Sequence, residues 1–388
     1  MKKSAVRYLG LVLVAAVATG CAEARSHVKH TGDPIVDAKA ECAQGLPKDK
    51  VLWEYRGAAA AMRLGDYDDA KMFLDDALAR INGLMGKDES AKKARSNFAA
   101  ESKKTFVGEP YERVMANLYR GILYWMNGEV DNAHAAFLNA QFMDSDAEKK
   151  EFQADYVLLE ILSAMTAERM HVDATESWKR ANDLAKGRVQ MPDPKANVIL
   201  FTEFGNGPVK YSTGEYHQQL RFKPGARGAT SARVTVDSAT ASLPVYDDLY
   251  YQATTRGGRV MDFVLKNKAV FKDNSNKAGD VLMATGAAVA QAASSMNSSA
   301  GGIAGLALFF SGLIAKGIAA AANPAADVRM WDNLPQYLSF AALSLPPGPH
   351  SATVEFLDDA GTALASKTVA INVADGKDTV VFVSEKAN

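Results

Sequence analysis

The sequence has almost no excess of charge of either sign. Its 44 lysine and arginine residues are balanced by 45 aspartate and glutamate residues, for a formal net charge of −1. A nearly neutral, slightly acidic chain is a poor candidate for nonspecific nucleic-acid binding, which depends on clustered Lys and Arg. Histidine is scarce as well, with six scattered copies. A weak metal contact by His27 and His30 is conceivable, but a solvated pair is simpler. We therefore predict no metal site and no nucleic-acid partner.

The common catalytic motifs are also missing. The sequence contains no G-x-x-x-x-G-K-[ST], G-x-S-x-G, H-E-x-x-H or C-x-x-C, the motifs that bind phosphate, attack esters or bind zinc. Asp66, Asp68 and Asp69 resemble the start of a calcium loop, but the glycine and the later acid that such a loop needs are lacking. Asp247 and Asp248, beside Tyr246, Tyr250 and Tyr251, could form a polar site, but solvated acids at the end of a strand are the simpler interpretation. We therefore predict that the protein is not an enzyme and has no cofactor.

The N-terminus is typical of an export signal. Residues 1–20 combine a basic start with an apolar run that is too short to span a bilayer. They lead into Ala18-Thr19-Gly20-Cys21, which resembles a bacterial lipobox, although leucine is usual where Ala18 stands. The alternative is cleavage after Ala22-Glu23-Ala24, which would release a soluble secreted protein.

Lipidation of Cys21 is the preferred interpretation. Acyl chains on this residue would anchor the protein, because membrane affinity grows with each buried chain. Cys42 would then have no partner in the chain for an internal disulfide. Ala22 stands where the lipobox resemblance would place an aspartate in a protein retained at the inner membrane. We therefore expect the inner leaflet of the outer membrane, facing the periplasm, with residues 21–45 as a polar tether.

Residues 46–190 are predicted to form a helical domain of tetratricopeptide-like repeats. The clearest part is residues 109–141, which is typical of two helices folded back on each other at Asn127-Gly128. Small residues at positions 121, 133 and 140 allow the helix backbones to approach closely, and Phe137 fills the gap, as in a tetratricopeptide hairpin. The repeats are irregular, and a polar insertion is predicted at about 83–107.

Residues 195–388 are predicted to be β-rich, so the expected fold class is α+β with a β-sandwich-like second domain. Period-two alternation or short apolar runs predict strands at 198–201, 220–222, 232–236, 337–345, 351–357, 366–373 and 379–383. An Ala/Gly-rich helical hairpin is predicted as an insertion at about 279–322. This hairpin is too short and too interrupted to span a bilayer. It could pack against the protein's own core, or contact a membrane surface or a partner.

Two clusters are candidate partner-binding surfaces, because Tyr, Trp and Arg are enriched in interface hot spots. The first contains Glu109, Tyr111, Glu112, Arg113, Tyr119 and Tyr124. The second contains Asp327, Arg329, Trp331, Leu334 and Pro335, with Arg329 and Trp331 as its candidate contact residues. The alternative for the first cluster is a set of core tyrosines beside a solvated Glu112–Arg113 pair. The alternative for the second is a domain junction with Trp331 buried and Arg329 paired to an acid.

Four short stretches carry a family resemblance. They are Gly108-Glu109-Pro110-Tyr111-Glu112-Arg113, Gly205-Asn206-Gly207-Pro208-Val209-Lys210, Asp327-Val328-Arg329-Met330-Trp331-Asp332-Asn333-Leu334-Pro335 and Leu345-Pro346-Pro347-Gly348-Pro349-His350. With them the chain resembles a family of poorly characterised bacterial envelope lipoproteins with tetratricopeptide-like repeats. The resemblance implies an envelope location and supplies no catalytic residues.

These features together predict a lipid-anchored periplasmic adaptor or scaffold that binds envelope proteins, including other lipoproteins. The concave groove of the helical repeats is the expected binding surface. Two alternatives remain open. One is an accessory subunit of a secretion or surface-assembly complex, whose Ala/Gly-rich hairpin contacts membrane or oligomer. The other is an enzyme of unrecognised type that acts on envelope polymer.

Overall fold

The computed structural model describes residues 26–85, 104–145, 152–254 and 325–387, together with the single positions 277 and 280. The predicted signal peptide and Cys21 lie outside the described residues. So do the predicted hairpin at 279–322, apart from position 280, and most of the predicted insertion at 83–107. Within the described part, no helix is both long and apolar enough to cross a membrane.

The described chain begins with helices. They are α1 (Pro34–Gln44), α2 (Lys50–Leu64), α3 (Tyr67–Met85), α4 (Pro110–Met126), α5 (Val130–Asp144), α6 (Val157–Arg169) and α7 (Thr175–Ala185), with a further short helix, α8 (Leu249–Thr254), among the strands. Consecutive helices pack against each other, from α1 on α2 through to α6 on α7. The helical region is therefore an array that follows the order of the chain.

Helix α1 corrects the predicted tether. Asp33 caps this helix, because its carboxylate accepts hydrogen bonds from the backbone N–H groups of Ile35 and Val36. Asp37 and Glu41, which made the segment look polar and solvated, are buried. Residues 34–44 are thus a packed helix, and the tether prediction is wrong for them.

Helices α4 and α5 form the predicted hairpin. Pro110 occupies the first turn of α4, and Glu109 and Glu112 form a reciprocal capping box that satisfies the free N–H groups there. A Cβ atom added at Gly121 would lie 2.3 Å from Cε1 of Phe137, so the two helices meet where the glycine leaves room. The prediction of a close approach filled by Phe137 is confirmed.

The ten strands of the described part all follow α7 in the chain. They are β1 (Val198–Phe204), β2 (Val209–Thr213), β3 (Gln219–Lys223), β4 (Ser231–Val236), β5 (Ala239–Leu243), β6 (Val245–Asp248), β7 (Tyr337–Leu343), β8 (Gly348–Leu357), β9 (Ala363–Val373) and β10 (Thr379–Ser384). A first sheet has the order β10-β1-β7-β6, a second sheet has the order β5-β4-β8-β9, and β2 and β3 form a separate two-stranded sheet. Strands β1 and β10 are parallel. The prediction of an α+β protein with helices first and strands after them is confirmed.

Strand β1 is buried along its whole length, which explains its nearly continuous apolar sequence. On one face, Val198, Leu200 and Phe204 belong to a hydrophobic cluster shared with β4 and β8 of the second sheet. On the other face, Ile199 and Phe201 belong to the cluster of the helices. The first sheet therefore lies between the helical array and the second sheet.

Candidate functional site

A buried polar network lies between the helices and the first sheet. Glu203, on β1, accepts hydrogen bonds from Arg63 Nε at 2.7 Å and from Ser384 Oγ at 2.7 Å through one carboxylate oxygen. The Tyr119 hydroxyl of α4 donates to the other oxygen. The side chains of Arg63 and Glu203 are 0% and 2% exposed. Helices α2 and α4 are thereby joined to the centre of the sheet by one carboxylate.

The electrostatics of this network follow from its burial. Burial raises the pKa of the Tyr119 hydroxyl well above its ordinary value, and the adjacent charge of Glu203 adds to the rise. Burial disfavours the charged form of Arg63, but the charge and hydrogen bond of Glu203, together with those of Tyr119, outweigh that effect and raise the pKa of the guanidinium. Tyr119 therefore stays a neutral hydrogen-bond donor, and Arg63 stays a cation.

A second buried ion pair joins α4 to the small sheet. Lys210 Nζ on β2 lies 2.5 Å from Glu112 Oε2 on α4, and both side chains are fully buried. Glu112 also accepts a hydrogen bond from the backbone N–H of Glu109 at 2.6 Å and from that of Trp331 at 2.7 Å. One carboxylate thus caps a helix, neutralises a lysine and positions a tryptophan.

The segment around Trp331 is a junction between the two regions. The Trp331 ring stacks on Tyr55 of α2 with centroids 4.3 Å apart. Arg329 forms ion pairs with Asp49 and Asp327, each at 2.6 Å. The alternative of a junction with a buried tryptophan and a paired arginine is confirmed for this segment.

Two further acids, Asp378 and Asp247, also join the helices to the strand region. Asp378 accepts hydrogen bonds from Trp125 Nε1 at 2.8 Å and from Arg169 Nε at 3.0 Å. Asp247 accepts the first backbone N–H groups of α6, Val157 at 3.0 Å and Leu158 at 2.8 Å. Burial raises the pKa of Asp247 to about 7, although these two hydrogen bonds oppose the rise. The interpretation of Asp247 as a solvated acid is therefore wrong.

Most residues of the predicted partner-binding clusters are buried, and not exposed as expected. Tyr111, Glu112, Arg113, Tyr119 and Trp331 are buried and cannot contribute to a solvent-facing surface. The alternative for the first cluster was a set of core tyrosines beside a solvated Glu112–Arg113 pair, and it is right for Tyr111 and Tyr119. It is wrong for the Glu112–Arg113 pair, which is buried rather than solvated.

Other members of these clusters keep some exposure. Glu109, Tyr124 and Arg329 are partly exposed. The Arg120 guanidinium covers the ring of Tyr124 at 3.5 Å from its centroid. Cys21, the predicted lipidation site, lies outside the described residues.

Sequence reasoning missed Arg63, Glu203, Lys210 and Asp378. Glu203 had a usable signal, since it is the one charged residue in the apolar run 198–204. Lys210 ends a stretch that carries the family resemblance, but no chemistry was attached to it. Asp378 lies in polar surroundings that give no sign of burial, and Arg63 stands at the end of a helix beside a turn, where an arginine is ordinarily exposed.

A small cavity lies in the interface between the helices and the first sheet. This cavity of about 10 Å³ lies between α4 and the first sheet, lined by Tyr119, Glu203, Leu118, Phe201 and Phe382 among others. That volume holds about one water molecule. In the described ranges, no three His, Cys, Asp or Glu side chains are placed to bind a metal ion together.

The inner face of the helical array is covered by the chain's own sheet. Helix α4 buries nearly every residue, and the predicted concave groove is therefore occupied rather than open. No protein-family model, curated protein or solved structure matches the chain. Function must accordingly be inferred from its own residues and contacts.

Proposed function

We propose that the protein is a lipid-anchored, non-enzymatic scaffold or adaptor that binds other envelope proteins. Residues 1–20 direct export, and Cys21 carries the lipid in the inner leaflet of the outer membrane, facing the periplasm. The short apolar run that ends in Gly20-Cys21 supports this assignment. The protein needs no cofactor and no nucleic acid for this role.

The fold supports a scaffold built from two familiar parts. We interpret the pairs α2–α3, α4–α5 and α6–α7 as tetratricopeptide-like hairpins, in keeping with the close approach at Gly121. We interpret the two larger sheets, which share a hydrophobic cluster, as a β-sandwich-like domain. Three of the four stretches that carry the resemblance to the envelope lipoprotein family, at 108–113, 205–210 and 327–335, include residues at the junction of these parts, which is in keeping with membership of that family.

The proposed function depends on the position of the exposed apolar side chains. The sheet fills the inner face of the helices, so a partner must bind an outer face. Ala135, Leu138 and Phe142, here called the α5 stripe, are exposed on the side of α5 opposite its buried face. Leu138 is 45% and Phe142 66% exposed. Exposed large apolar groups at helical spacing are typical of protein-binding surfaces.

The test is crosslinking in intact producing cells, followed by affinity capture and mass spectrometry. Wild type is compared with the double variant Leu138→Ser/Phe142→Ser and with a matched control, Leu364→Ser. Leu364 is 52% exposed but lies on β9, away from the helices. A further variant, Cys21→Ser with a substitute cleavage site, removes the lipid and keeps export.

The expected result is a short set of envelope proteins that is captured by wild type and by the Leu364→Ser control. That set is lost from the stripe variant and reduced without the lipid. If no envelope protein is enriched, or if the same set is captured by the stripe variant at wild-type yield, the proposal is wrong.

A further inference from the structure

The residues just after the lipidation site are fixed to the folded body. Residues 26–32, here called the N-terminal arm, lie along α1. Ser26 Oγ donates to Glu41 at 2.7 Å, and the His30 ring lies 2.9 Å from the same carboxylate. The backbone N–H groups of Thr31 and Gly32 donate to Asp37 at 2.6 and 3.0 Å. Two buried acids of α1 thus hold the whole arm in place.

The hydrogen bonds that the N-terminal arm donates stabilise the ionised form of Asp37. The backbone N–H of Thr31 lowers the pKa of Asp37 below its ordinary value, and the Thr31 hydroxyl adds to the effect. Asp37 is therefore a carboxylate across the neutral range and binds the arm as an anion. Charge-assisted hydrogen bonds of this kind are roughly twice as strong as neutral ones. The arm is a folded part of the protein and not a continuation of a tether.

This arrangement leaves very little chain between the lipid and the body. Only residues 22–25 separate Cys21 from Ser26. A fully extended chain spans at most about 3.5 Å per residue, so the Cα atoms of Cys21 and Ser26 are at most about 18 Å apart. That reach is shorter than α4, which at about 1.5 Å per residue measures roughly 25 Å. The start of the arm cannot move one helix length away from the membrane interface.

The surface at this end carries charges that suit phospholipid head groups. The outward side chains of residues 26–44 include His27, Lys29, Lys39 and Val36, all exposed. Two of the three acids in this range are turned inward, and Asp33 alone is exposed. Lys39 also pairs with Asp69, and the Asp33 carboxylate caps α1, so Lys29 is the basic group left to meet a lipid phosphate. Basic groups close to a membrane are attracted by anionic lipids.

We propose that the short tether holds the outward face of the N-terminal arm and α1 against the phospholipid bilayer in which the Cys21 lipid is inserted. The proposal rests on the proposed function for the lipid itself. It adds an orientation, because α1 is the first member of a sequential helical array. Because consecutive helices pack in order from α1 to α7, the proposal places α1 nearest the bilayer and the later helices farther from it.

The test uses the full mature protein, acylated and purified, in vesicles of phosphatidylethanolamine and phosphatidylglycerol. A fluorescent probe is attached at Val36→Cys in a Cys42→Ser background. The matched control carries the probe at Val172→Cys. The two sites are similarly exposed, at 47% and 54%, but Val36 is on α1 and Val172 lies just before α7. Quenching by lipids with a nitroxide on the head group measures the distance of each probe from the bilayer.

The expected result is at least threefold stronger quenching at position 36 than at position 172. Equal quenching at the two positions, or stronger quenching at 172, overturns the docking. No envelope partner is present, so that result leaves the scaffold proposal standing. The mass of the intact protein is measured first, and a mass without acyl chains on Cys21 overturns the anchor and the docking together.

Discussion

Arg63 and Glu203 lie 140 residues apart in the sequence and form an ion pair 2.7 Å long with side chains that are 0% and 2% exposed. Burial of two charges costs free energy, and the pair repays it only if the remaining hydrogen-bonding groups are also satisfied. Tyr119 and Ser384 donate to the Glu203 carboxylate and so satisfy its oxygens further. The pair is therefore a point at which a helix and a distant strand depend on each other.

We expect Arg63→Met to lower the free energy of unfolding by about 3–5 kcal/mol, because it leaves the Glu203 carboxylate buried without its counter-charge. Arg56→Met is the matched control. Arg56 pairs with Asp332 at 2.7 Å, but these side chains are 24% and 44% exposed, and such a pair contributes at most about 1 kcal/mol. Urea unfolding of both variants measures the difference, and equal losses would contradict the assignment.

The Glu112–Lys210 pair predicts that a second substitution restores part of the stability that the first one removes. Lys210→Met alone is expected to cost about 3–5 kcal/mol, since it leaves the buried Glu112 side chain without its ion-pair partner. Addition of Glu112→Gln should recover part of that loss, because the amide is neutral and its oxygen still accepts a backbone N–H. A double-mutant cycle by urea unfolding measures the coupling. A double variant that loses the full sum of the two single losses would show that the charges do not act as a pair.

Local structure could be predicted from the sequence because local patterns determine it. The alternation at 232–236 and the apolar run at 198–201 both correspond to strands in the structure. The Gly121–Phe137 contact followed from small residues at helical spacing. Each of these features depends on neighbours within a few turns or on one short loop.

The buried network could not be predicted in the same way. Charged residues are almost never fully buried unless they are paired, so the sequence alone predicts a surface position for Glu112. Its partner, Lys210, is 98 residues away, and no local pattern reports a contact at that separation. The assignment of a concave binding groove was wrong for the same reason, since only the fold brings the first sheet onto the inner faces of the helices.

The close contact of α4 and α5 predicts opposite effects of one substitution at two glycines. Gly121→Ala places a Cβ atom 2.3 Å from Phe137 Cε1 and is expected to cost about 1–3 kcal/mol through overpacking. Gly83→Ala, in α3, meets nothing within 4 Å and should stabilise by about 0.5–1 kcal/mol, because alanine favours the helix. Thermal unfolding compares the two. A neutral or stabilising Gly121→Ala would mean that the helices do not meet at this residue.

Cys42 is expected to react slowly with thiol reagents. Burial raises the pKa of its thiol to about 12, and the charge of Glu54 adds to the rise. The reactive species is the thiolate, so at pH 8 the rate should be at least about a hundredfold below that of an exposed cysteine with a pKa near 8.5. A maleimide reaction followed by mass spectrometry measures it, with Val36→Cys in the Cys42→Ser background as the control. Comparable rates at the two positions would contradict the burial of the Cys42 thiol.

The raised pKa of Asp247 makes the free energy of unfolding depend on pH. Burial raises its folded-state pKa to about 7, above the value of about 4 in an unfolded chain. Between these values the folded protein binds more protons than the unfolded chain, so this residue makes the free energy of unfolding fall as pH rises from about 4 to about 7. Asp247→Asn removes the ionisation, and relative to wild type it should gain stability across that window, by up to about 4 kcal/mol.

Asp173→Asn is the control for this pH dependence. Asp173 accepts the backbone N–H of Thr175 at the start of α7, as Asp247 does for α6, but it is exposed. The Thr175 hydroxyl lowers the pKa of Asp173 below its ordinary value, so its contribution has the opposite sign and is lost as pH falls through that lowered pKa. Urea unfolding at intervals from pH 4 to pH 8 separates the two variants. If the stability difference between Asp247→Asn and wild type does not change with pH, then Asp247 is ionised throughout this range, and its hydrogen bonds to α6 outweigh the effect of burial.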